Sequence, residues 1–252
     1  MNPKMNLIRT ACRKLAPTFR RYYGEVGRAL INPVSAASIA EETFASVKQV
    51  MVSELEKAGF PIVTSEEPIP NGPHFLIQPL TRKVNFAHGR LPVSCAVAFV
   101  EEDGTCLVGA VYFPVEDVLV QAEVGSGAIG QERFRATTRA DLNDSLLALP
   151  WSTEDLIHLN LLEKCEKNPT IHTRKTGDSL FDMIDVASGR ADIAIATRLT
   201  RLEALLAKLI LHESNATGTD LEGNPLTAKS TTLLAASYKL HPTALTHFKT
   251  KA

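Results

Sequence analysis

The chain has 252 residues, of which 44% are hydrophobic and 22% are charged, and its formal net charge is −1. These values are typical of a folded globular protein with a sizeable core, and they argue against a strongly electrostatic partner such as bulk nucleic acid. No apolar run reaches the roughly 20 residues that span a bilayer. The four cysteines form no CxxC pair, which argues against a zinc site or a disulfide framework and favours a reducing cytoplasm.

The first 24 residues contain six lysines and arginines and no acid. Such a segment resembles an organelle transit peptide. It also fits a packed surface helix with a basic outer face, because Leu7, Ile8 and Leu15 follow the helical period. We expect the packed helix.

A second helix is predicted over residues 38–58. Ser38 and Glu41 form a capping-box pattern at its start, and Gly59 provides a stop at its end. The pattern then changes to strands that alternate with turn residues. These strands are predicted at 62–64, 75–77, 93–100, 106–113 and 118–124. A Glu-Glu-Asp-Gly turn joins 93–100 to 106–113 and predicts an antiparallel hairpin.

Beyond residue 141, strands alternate with helices, which is typical of a layered α/β arrangement with a parallel or mixed sheet. Strands are predicted within 141–151 and at 170–173, 192–196 and 232–236. Helices are predicted at 153–166 with a cap near Ser152, at 179–188, at 202–213 and after Pro242. We therefore predict an α+β half with an antiparallel sheet over residues 1–143 and an α/β half over residues 144–252.

The order of these segments resembles the inositol monophosphatase family, including its SuhB-type bacterial members. That family has a Gly-Glu-Glu strand end, a W-x-x-D-P-[LI]-D-G-T-x-N-F motif and a Trp-Asp pair that opens a late helix. The matching segments here are Ser65-Glu66-Glu67, FLIQPLTRKVNF at 75–86 and Leu202-Glu203. VGAVYFP at 108–114, GSGA at 125–128, TGDS at 176–179 and ASGRAD at 187–192 also resemble family segments. The resemblance covers nearly the whole chain and implies a layered αβαβα fold and a homodimer.

The family reaction, as the resemblance implies, is Mg²⁺-assisted hydrolysis of a phosphate monoester, in which the metal polarises the phosphate and activates a water. The implied metal ligands are Glu66, Gln78, the Leu80 carbonyl and Glu203. Gln78 and Thr81 replace two aspartates of the motif, and Glu203 replaces a third. The formal charge of the carboxylates falls from −4 to −2, so we expect Mg²⁺ to bind weakly or not at all.

The other positions of the motif also differ from the family. Arg82 replaces a glycine, and Lys83 replaces the threonine that positions the attacking water. Thr81 and Lys83 are therefore degenerate catalytic positions. We hypothesise a phosphate contact at Arg82 and Lys83, where a cation replaces the metal as the counter-charge. Gly177 and Asp178, in the substrate-side turn, are further candidates for a phosphate contact, while Ala196 stands where the family usually has a substrate-binding glutamate.

Three functions fit these observations. The first is a catalytically impaired family member that binds a small phosphorylated ligand or a protein partner, with Arg82 or Lys83 as the counter-charge for the phosphate. The second is an active Mg²⁺-dependent inositol or sugar phosphate monoesterase with unusual ligands. The third is a regulatory partner of the transcription apparatus, as in SuhB-type relatives, which makes contact through the basic segment 4–21.

Plain structural roles fit the same residues. Glu66 and Glu67 suit a solvated acidic loop. Glu203 completes a T-x-x-E capping box with Thr200. Arg82 and Lys83 suit exposed turn charges, and Asp178 with Ser179 suits the N-cap of a helix.

Overall fold

The computed structural model of the chain describes residues 2–149, 160–161, 163–165 and 167–249. They belong to two compact units, Met1–Val124 and Gly125–Ala252, and each unit is described by itself. The boundary predicted at 143/144 lies inside the second unit. Most of the helix predicted at 153–166, with its cap near Ser152, lies outside the described residues.

The first unit begins with two long helices that pack on each other, α1 (Pro3–Ala29) and α2 (Pro33–Leu55). The side chain of Asn2 caps α1 by accepting a hydrogen bond from the Lys4 backbone N–H at 3.0 Å. One face of α1 is buried in the core of this unit and supplies Met5, Ile8, Ala11, Cys12, Leu15, Ala16, Phe19 and Val26. The packed helix that we expected in this segment is confirmed.

Several cations on α1 form ion pairs with acidic residues of the same unit. Three of these ion pairs reach other elements, Lys4–Glu101 at 3.1 Å, Lys14–Glu54 at 2.6 Å and Arg20–Asp117 at 3.1 Å, and a fourth, Arg21–Glu25 at 4.0 Å, lies within α1. The ammonium of Lys4 also lies 3.7 Å from the centre of the Phe99 ring. These contacts hold α1 against the rest of the unit. Acidic residues of the same unit therefore offset much of the positive charge of α1.

The predicted start of α2 is wrong. The helix begins at Pro33, and the side chain of Asn32 accepts a hydrogen bond from the Ser35 N–H. Proline is favoured in the first turn because its missing N–H would have no helical partner there. Ser38 and Glu41 therefore lie inside the helix. The predicted stop is confirmed, since a 3₁₀ turn over Glu56–Ala58 ends at Gly59 with a φ of +73°.

Five strands of a six-stranded sheet belong to the first unit, and they follow one another in chain order across the sheet. They are β1 (Ile62–Thr64), β2 (His74–Gln78), β3 (Cys95–Val100), β4 (Cys106–Phe113) and β5 (Val118–Glu123). β1 pairs with β2 in parallel, and the other neighbours are antiparallel. The short helix α3 (Lys83–Ala87) follows β2 and buries Phe86 against Phe19 and Tyr23. The predicted strands of this half are confirmed to within about two residues at each end.

The second unit has a mixed sheet with the strand order β10-β11-β9-β7-β8. The described elements of the second unit are β6 (Gly127–Ile129), which is not part of this mixed sheet, β7 (Leu146–Ala148), β8 (His172–Arg174), α4 (Ser179–Ala187), β9 (Ile193–Thr197), α5 (Arg201–Glu213), β10 (Ala216–Thr219), β11 (Thr232–Ser237) and α6 (His241–Phe248). β7, β8 and β9 are parallel, whereas β11 runs antiparallel to both β9 and β10. The predicted alternation of strands and helices is confirmed.

Sequence reasoning missed β10, which contains Gly218. A β-carbon at Gly218 would lie 2.6 Å from a methyl carbon of Leu211. A glycine in a strand weakens the sequence pattern, but here it lets the strand approach α5 closely.

Candidate functional site

The end of β2 has an amide side chain, Gln78, at the position where the family motif has a metal-binding aspartate. Gln78 is the last residue of β2, and its side-chain nitrogen donates a hydrogen bond to the backbone carbonyl of Leu80 at 3.2 Å. The nitrogen must be the atom that faces this carbonyl, because two oxygen acceptors at that distance would repel each other. The carbonyl that the family resemblance assigns to a metal ion therefore accepts a hydrogen bond from a neutral amide.

Thr81, the next position of the motif, ties the turn to the segment that precedes β3. Its backbone N–H donates to the Ser94 carbonyl at 2.9 Å, and its hydroxyl oxygen accepts from the Ser94 N–H at 3.2 Å. A hydroxyl held in this way stabilises the turn. Thr81 supplies no carboxylate, and its assignment as a degenerate catalytic position stays a prediction.

The two cations of the motif lie at the start of α3. Arg82 is the half-buried residue before its first turn. The ammonium of Lys83 lies 2.7 Å from a carboxylate oxygen of Glu41 on α2 and 4.5 Å from the centre of the Phe44 ring. Lys83 thus joins α3 to α2, and Glu41 offsets its charge. The phosphate contact predicted at Arg82 stays a prediction.

In the acidic turn after β1, Glu67 makes the defined contacts and Glu66 is exposed. The Glu67 carboxylate accepts hydrogen bonds from the Lys48 ammonium at 2.9 Å and from the Thr64 N–H at 2.6 Å. These bonds lower the pKa of Glu67. The family motif pointed to Glu66, whereas the residue that shapes this turn is Glu67.

In the second unit, Glu203 completes the capping box at the N-terminus of α5, whose N-cap residue is Thr200. One of its carboxylate oxygens accepts a hydrogen bond from the Thr200 N–H at 2.7 Å, and the Thr200 hydroxyl accepts from the Glu203 N–H at 3.3 Å. The Glu203 side chain is buried, with 4% of the residue exposed. The capping box visible in the sequence is therefore present, and it engages an oxygen that a metal ion would need.

The turn before α4 contains Gly177, with a φ of +81°, and Asp178, which is fully buried. The Asp178 carboxylate caps α4 by accepting hydrogen bonds from the N–H groups of Leu180 at 2.9 Å and Phe181 at 3.1 Å. A carboxylate in this role satisfies the first turn of the helix. The N-cap expected for Asp178 is confirmed, and a phosphate contact at Gly177 and Asp178 stays a prediction.

These contacts bear on whether the residues fit Mg²⁺. Magnesium binds hard oxygen atoms, and carboxylates are its usual protein ligands. Here an amide N–H faces the Leu80 carbonyl, and the Glu203 carboxylate caps a helix. Within the described residues, no group of three or more His, Cys, Asp or Glu side chains is placed to hold a metal ion. The expectation that Mg²⁺ binds weakly or not at all stays a prediction.

Comparison with known proteins gives the family. The sequence matches the inositol monophosphatase family over residues 10–251. The chain belongs to the inositol monophosphatase family. It is 24% identical over 230 residues to the inositol-1-monophosphatase of Mesorhizobium japonicum, covering 87% of this chain and 86% of that protein. It is also 24% identical over 230 residues to the Nus factor SuhB of Xylella fastidiosa, covering 88% of this chain and 83% of that protein.

The structure of this inositol monophosphatase family protein is similar to the crystal structure of the SuhB protein of Bartonella henselae. The TM-score is 0.85 at 23% sequence identity, over 99% of this chain and 100% of that one. At this identity the likeness shows the fold, and the predicted layered fold is confirmed. Among the helices of the described residues, none is both long and apolar enough to cross a membrane.

Proposed function

We propose that this inositol monophosphatase family protein has lost most of its metal-dependent phosphatase activity and acts by binding a small phosphorylated ligand. The hydrogen bond from Gln78 to the Leu80 carbonyl is the observation that carries the proposal. Proteins of this family generally depend on Mg²⁺. An amide that donates to a ligand carbonyl stabilises the turn without any ion.

Electrostatics supports the same conclusion. Replacing aspartates by Gln78 and Thr81 removes two negative charges from one turn, and Arg82 follows directly with a positive charge. A pair of unit charges 4 Å apart interacts by about 4 kcal/mol at an intermediate dielectric constant, and a divalent ion doubles that energy. The turn therefore holds Mg²⁺ far less well than a pair of aspartates would.

The same change favours an anion. Arg82 provides a planar, permanently charged group that binds phosphate oxygens in pairs. Lys83 supplies a second positive charge in the same turn, and its ammonium also pairs with Glu41 at 2.7 Å. We assign the counter-charge for a phosphate to Arg82 or Lys83.

The test combines turnover with binding. Release of inorganic phosphate from inositol 1-phosphate is measured with 10 mM Mg²⁺ and with EDTA, for the wild type and for the variant Gln78→Asp/Thr81→Asp/Lys83→Thr. Calorimetric titration of inositol 1-phosphate in EDTA measures binding, with Arg82→Gln as the matched variant. The expected results are binding without turnover by the wild type, loss of binding in Arg82→Gln, and Mg²⁺-dependent turnover only in the triple variant.

Two results would overturn the proposal. Mg²⁺-dependent turnover by the wild type would show an active phosphate monoesterase with unusual ligands. An absence of binding at millimolar inositol 1-phosphate in EDTA would remove the phosphate ligand.

A second candidate function is a regulatory partner of the transcription apparatus. The observation that favours it is the similarity to relatives named Nus factor SuhB. Contacts through the basic segment 4–21 are less favoured than the sequence suggested, because Lys4, Lys14 and Arg20 bind acids of their own unit. Co-elution with purified RNA polymerase on a sizing column tests this function, and the same column tests the proposed homodimer.

A further inference from the structure

One face of α2 contacts the turns after β1 and β2, which carry two segments of the family motif. Its side chains Glu41, Phe44 and Lys48 lie within about 60° of one another around the helix, at 100° per residue. Glu41 and Phe44 contact Lys83 in the turn after β2. Lys48 contacts Glu67 in the turn after β1. We call Glu41, Phe44 and Lys48 the α2 stripe.

Each charged residue of the α2 stripe pairs with a residue of opposite charge. A carboxylate oxygen of Glu41 lies 2.7 Å from the ammonium of Lys83. At the other end, the ammonium of Lys48 lies 2.9 Å from a carboxylate oxygen of Glu67. Phe44 adds a cation–π contact, since the centre of its ring lies 4.5 Å from the ammonium of Lys83. The stripe thus gives each turn a counter-charge from within the chain.

The pair of Glu41 and Lys83 is placed so that an incoming anion can replace the carboxylate. The side chain of Glu41 is 65% exposed and that of Lys83 is 41% exposed, so both reach solvent. Exposed ion pairs contribute little stability, and the flexible stem of a lysine lets its ammonium turn to a new partner. A phosphate monoester carries close to two negative charges at pH 7, and a carboxylate carries one. The ammonium is therefore attracted more strongly to the phosphate.

The other end of the stripe keeps Glu41 near the turn. Glu67 accepts hydrogen bonds from the Lys48 ammonium and from the Thr64 N–H, so α2 is connected through the acidic turn to the end of β1. β1 pairs with β2, which leads into the turn that holds Lys83. Glu41 is therefore held where its carboxylate can return to Lys83 when the anion leaves.

We propose that Glu41 competes with the phosphate ligand for Lys83. Its carboxylate binds the Lys83 ammonium in the free protein and gives it up when a phosphate monoester binds. This inference rests on the proposed phosphate-binding function and adds to it a residue that limits the affinity. Because Glu41 also carries negative charge, it repels the same anion as long as it stays at the site.

The test is a calorimetric titration of inositol 1-phosphate in EDTA at about 50 mM salt, where exposed charges are weakly screened. It compares the wild type with Glu41→Gln. Glu42→Gln is the matched control, because Glu42 is also exposed, changes the net charge equally and points 100° away around α2. Lys83→Met and the double variant Glu41→Gln/Lys83→Met measure whether the effect passes through Lys83. Circular dichroism melts confirm that each variant is folded.

Glu41→Gln should bind inositol 1-phosphate about threefold or more tighter than the wild type, because Lys83 then has no carboxylate to leave. At about 0.5 M salt this gain should shrink, since screening weakens exposed pairs. Glu42→Gln should change the affinity by less than about 1.5-fold. Lys83→Met should bind more weakly, and adding Glu41→Gln to it should restore less than about 1.5-fold. If Lys83→Met binds too weakly to titrate, the comparison of Glu41→Gln with Glu42→Gln decides alone.

The outcomes that contradict the inference differ from those that contradict the phosphate function. Equal affinities of the wild type and Glu41→Gln would overturn the inference and leave phosphate binding intact. An equal gain in Glu42→Gln, or a gain that persists without Lys83, would overturn it by showing a general effect of net charge. No binding by the wild type or by Glu41→Gln would overturn the phosphate function and the inference together.

Discussion

Replacing Gln78 by aspartate tests whether the turn after β2 is stabilised by the amide hydrogen bond or by a bound Mg²⁺ ion. In the wild type the amide donates to the Leu80 carbonyl. Gln78→Asp removes this hydrogen bond, which is worth about 0.5–1.5 kcal/mol net, and leaves two acceptors facing each other. We expect the variant to lose about 1–2 kcal/mol of stability in EDTA. For a chain of this size that corresponds to a fall in Tm of roughly 2–8 °C.

Magnesium should restore the lost stability of Gln78→Asp and should have little effect on the wild type. An ion at 100 times its Kd adds about 2.7 kcal/mol of stability, or roughly 5–11 °C in Tm. The wild type, whose carbonyl already has a donor, should shift by less than about 1 °C in 10 mM Mg²⁺. Differential scanning calorimetry with 10 mM Mg²⁺ and with EDTA measures both effects.

Gln49→Asp is the matched control, because Gln49 is exposed on α2 and the substitution adds the same charge. Its Tm should not depend on Mg²⁺. A wild-type Tm that rises by several degrees in Mg²⁺ would refute the reasoning, since it would show that the turn binds the ion despite the amide.

Three further predictions concern stability. Glu203→Gln keeps an oxygen for the Thr200 N–H, so it should lower the free energy of unfolding by less than about 0.5 kcal/mol. Glu203→Ala should lower it by about 1–2 kcal/mol, measured by urea unfolding at pH 7. Equal losses in the two variants would contradict the capping role. Glu54 accepts a hydrogen bond from Lys14 at 2.6 Å, which lowers its pKa, so its contribution should be complete above about pH 4.3 and lost as the pH falls through the lower folded pKa. Acid unfolding of Glu54→Gln should therefore be less steep than that of the wild type, and an unchanged profile would count against this linkage. Phe86 is fully buried, and Phe86→Ala should cost about 3–5 kcal/mol in urea unfolding, against a much smaller loss for Phe86→Leu.

The fold was largely predictable from the sequence because its elements follow strong local patterns. β3, β4 and the hairpin turn between them follow from two continuous apolar runs on either side of the Glu-Glu-Asp-Gly turn that ends at Gly104. The start of α2 was not predictable from its capping residues, because the sequence offers two N-terminal signals. One is Ser38 with Glu41 and the other is Asn32 with Pro33, and the helix begins at the second. Ser38 is compatible with a helix interior, so the helix continues through it.

The candidate site was predictable only in part. The family motif located the turn at 78–83, and the T-x-x-E pattern gave the cap made by Glu203. The hydrogen bond from Gln78 to Leu80 depends on how the backbone turns after β2, which residue types alone do not determine. The pairing of Lys83 with Glu41 joins residues 42 positions apart, and no local pattern reports such a contact.

The burial of one face of α1 sets a limit on shortened forms of this protein. A protease cut near residue 24 would remove Ile8, Leu15 and Phe19 from the centre of the first unit, along with the cations that bind its acids. The sheet would then present a bare aliphatic surface, and Glu101 and Asp117 would lose the cations that pair with them. Such a fragment should aggregate, which makes an intact N-terminus a practical criterion of sample quality.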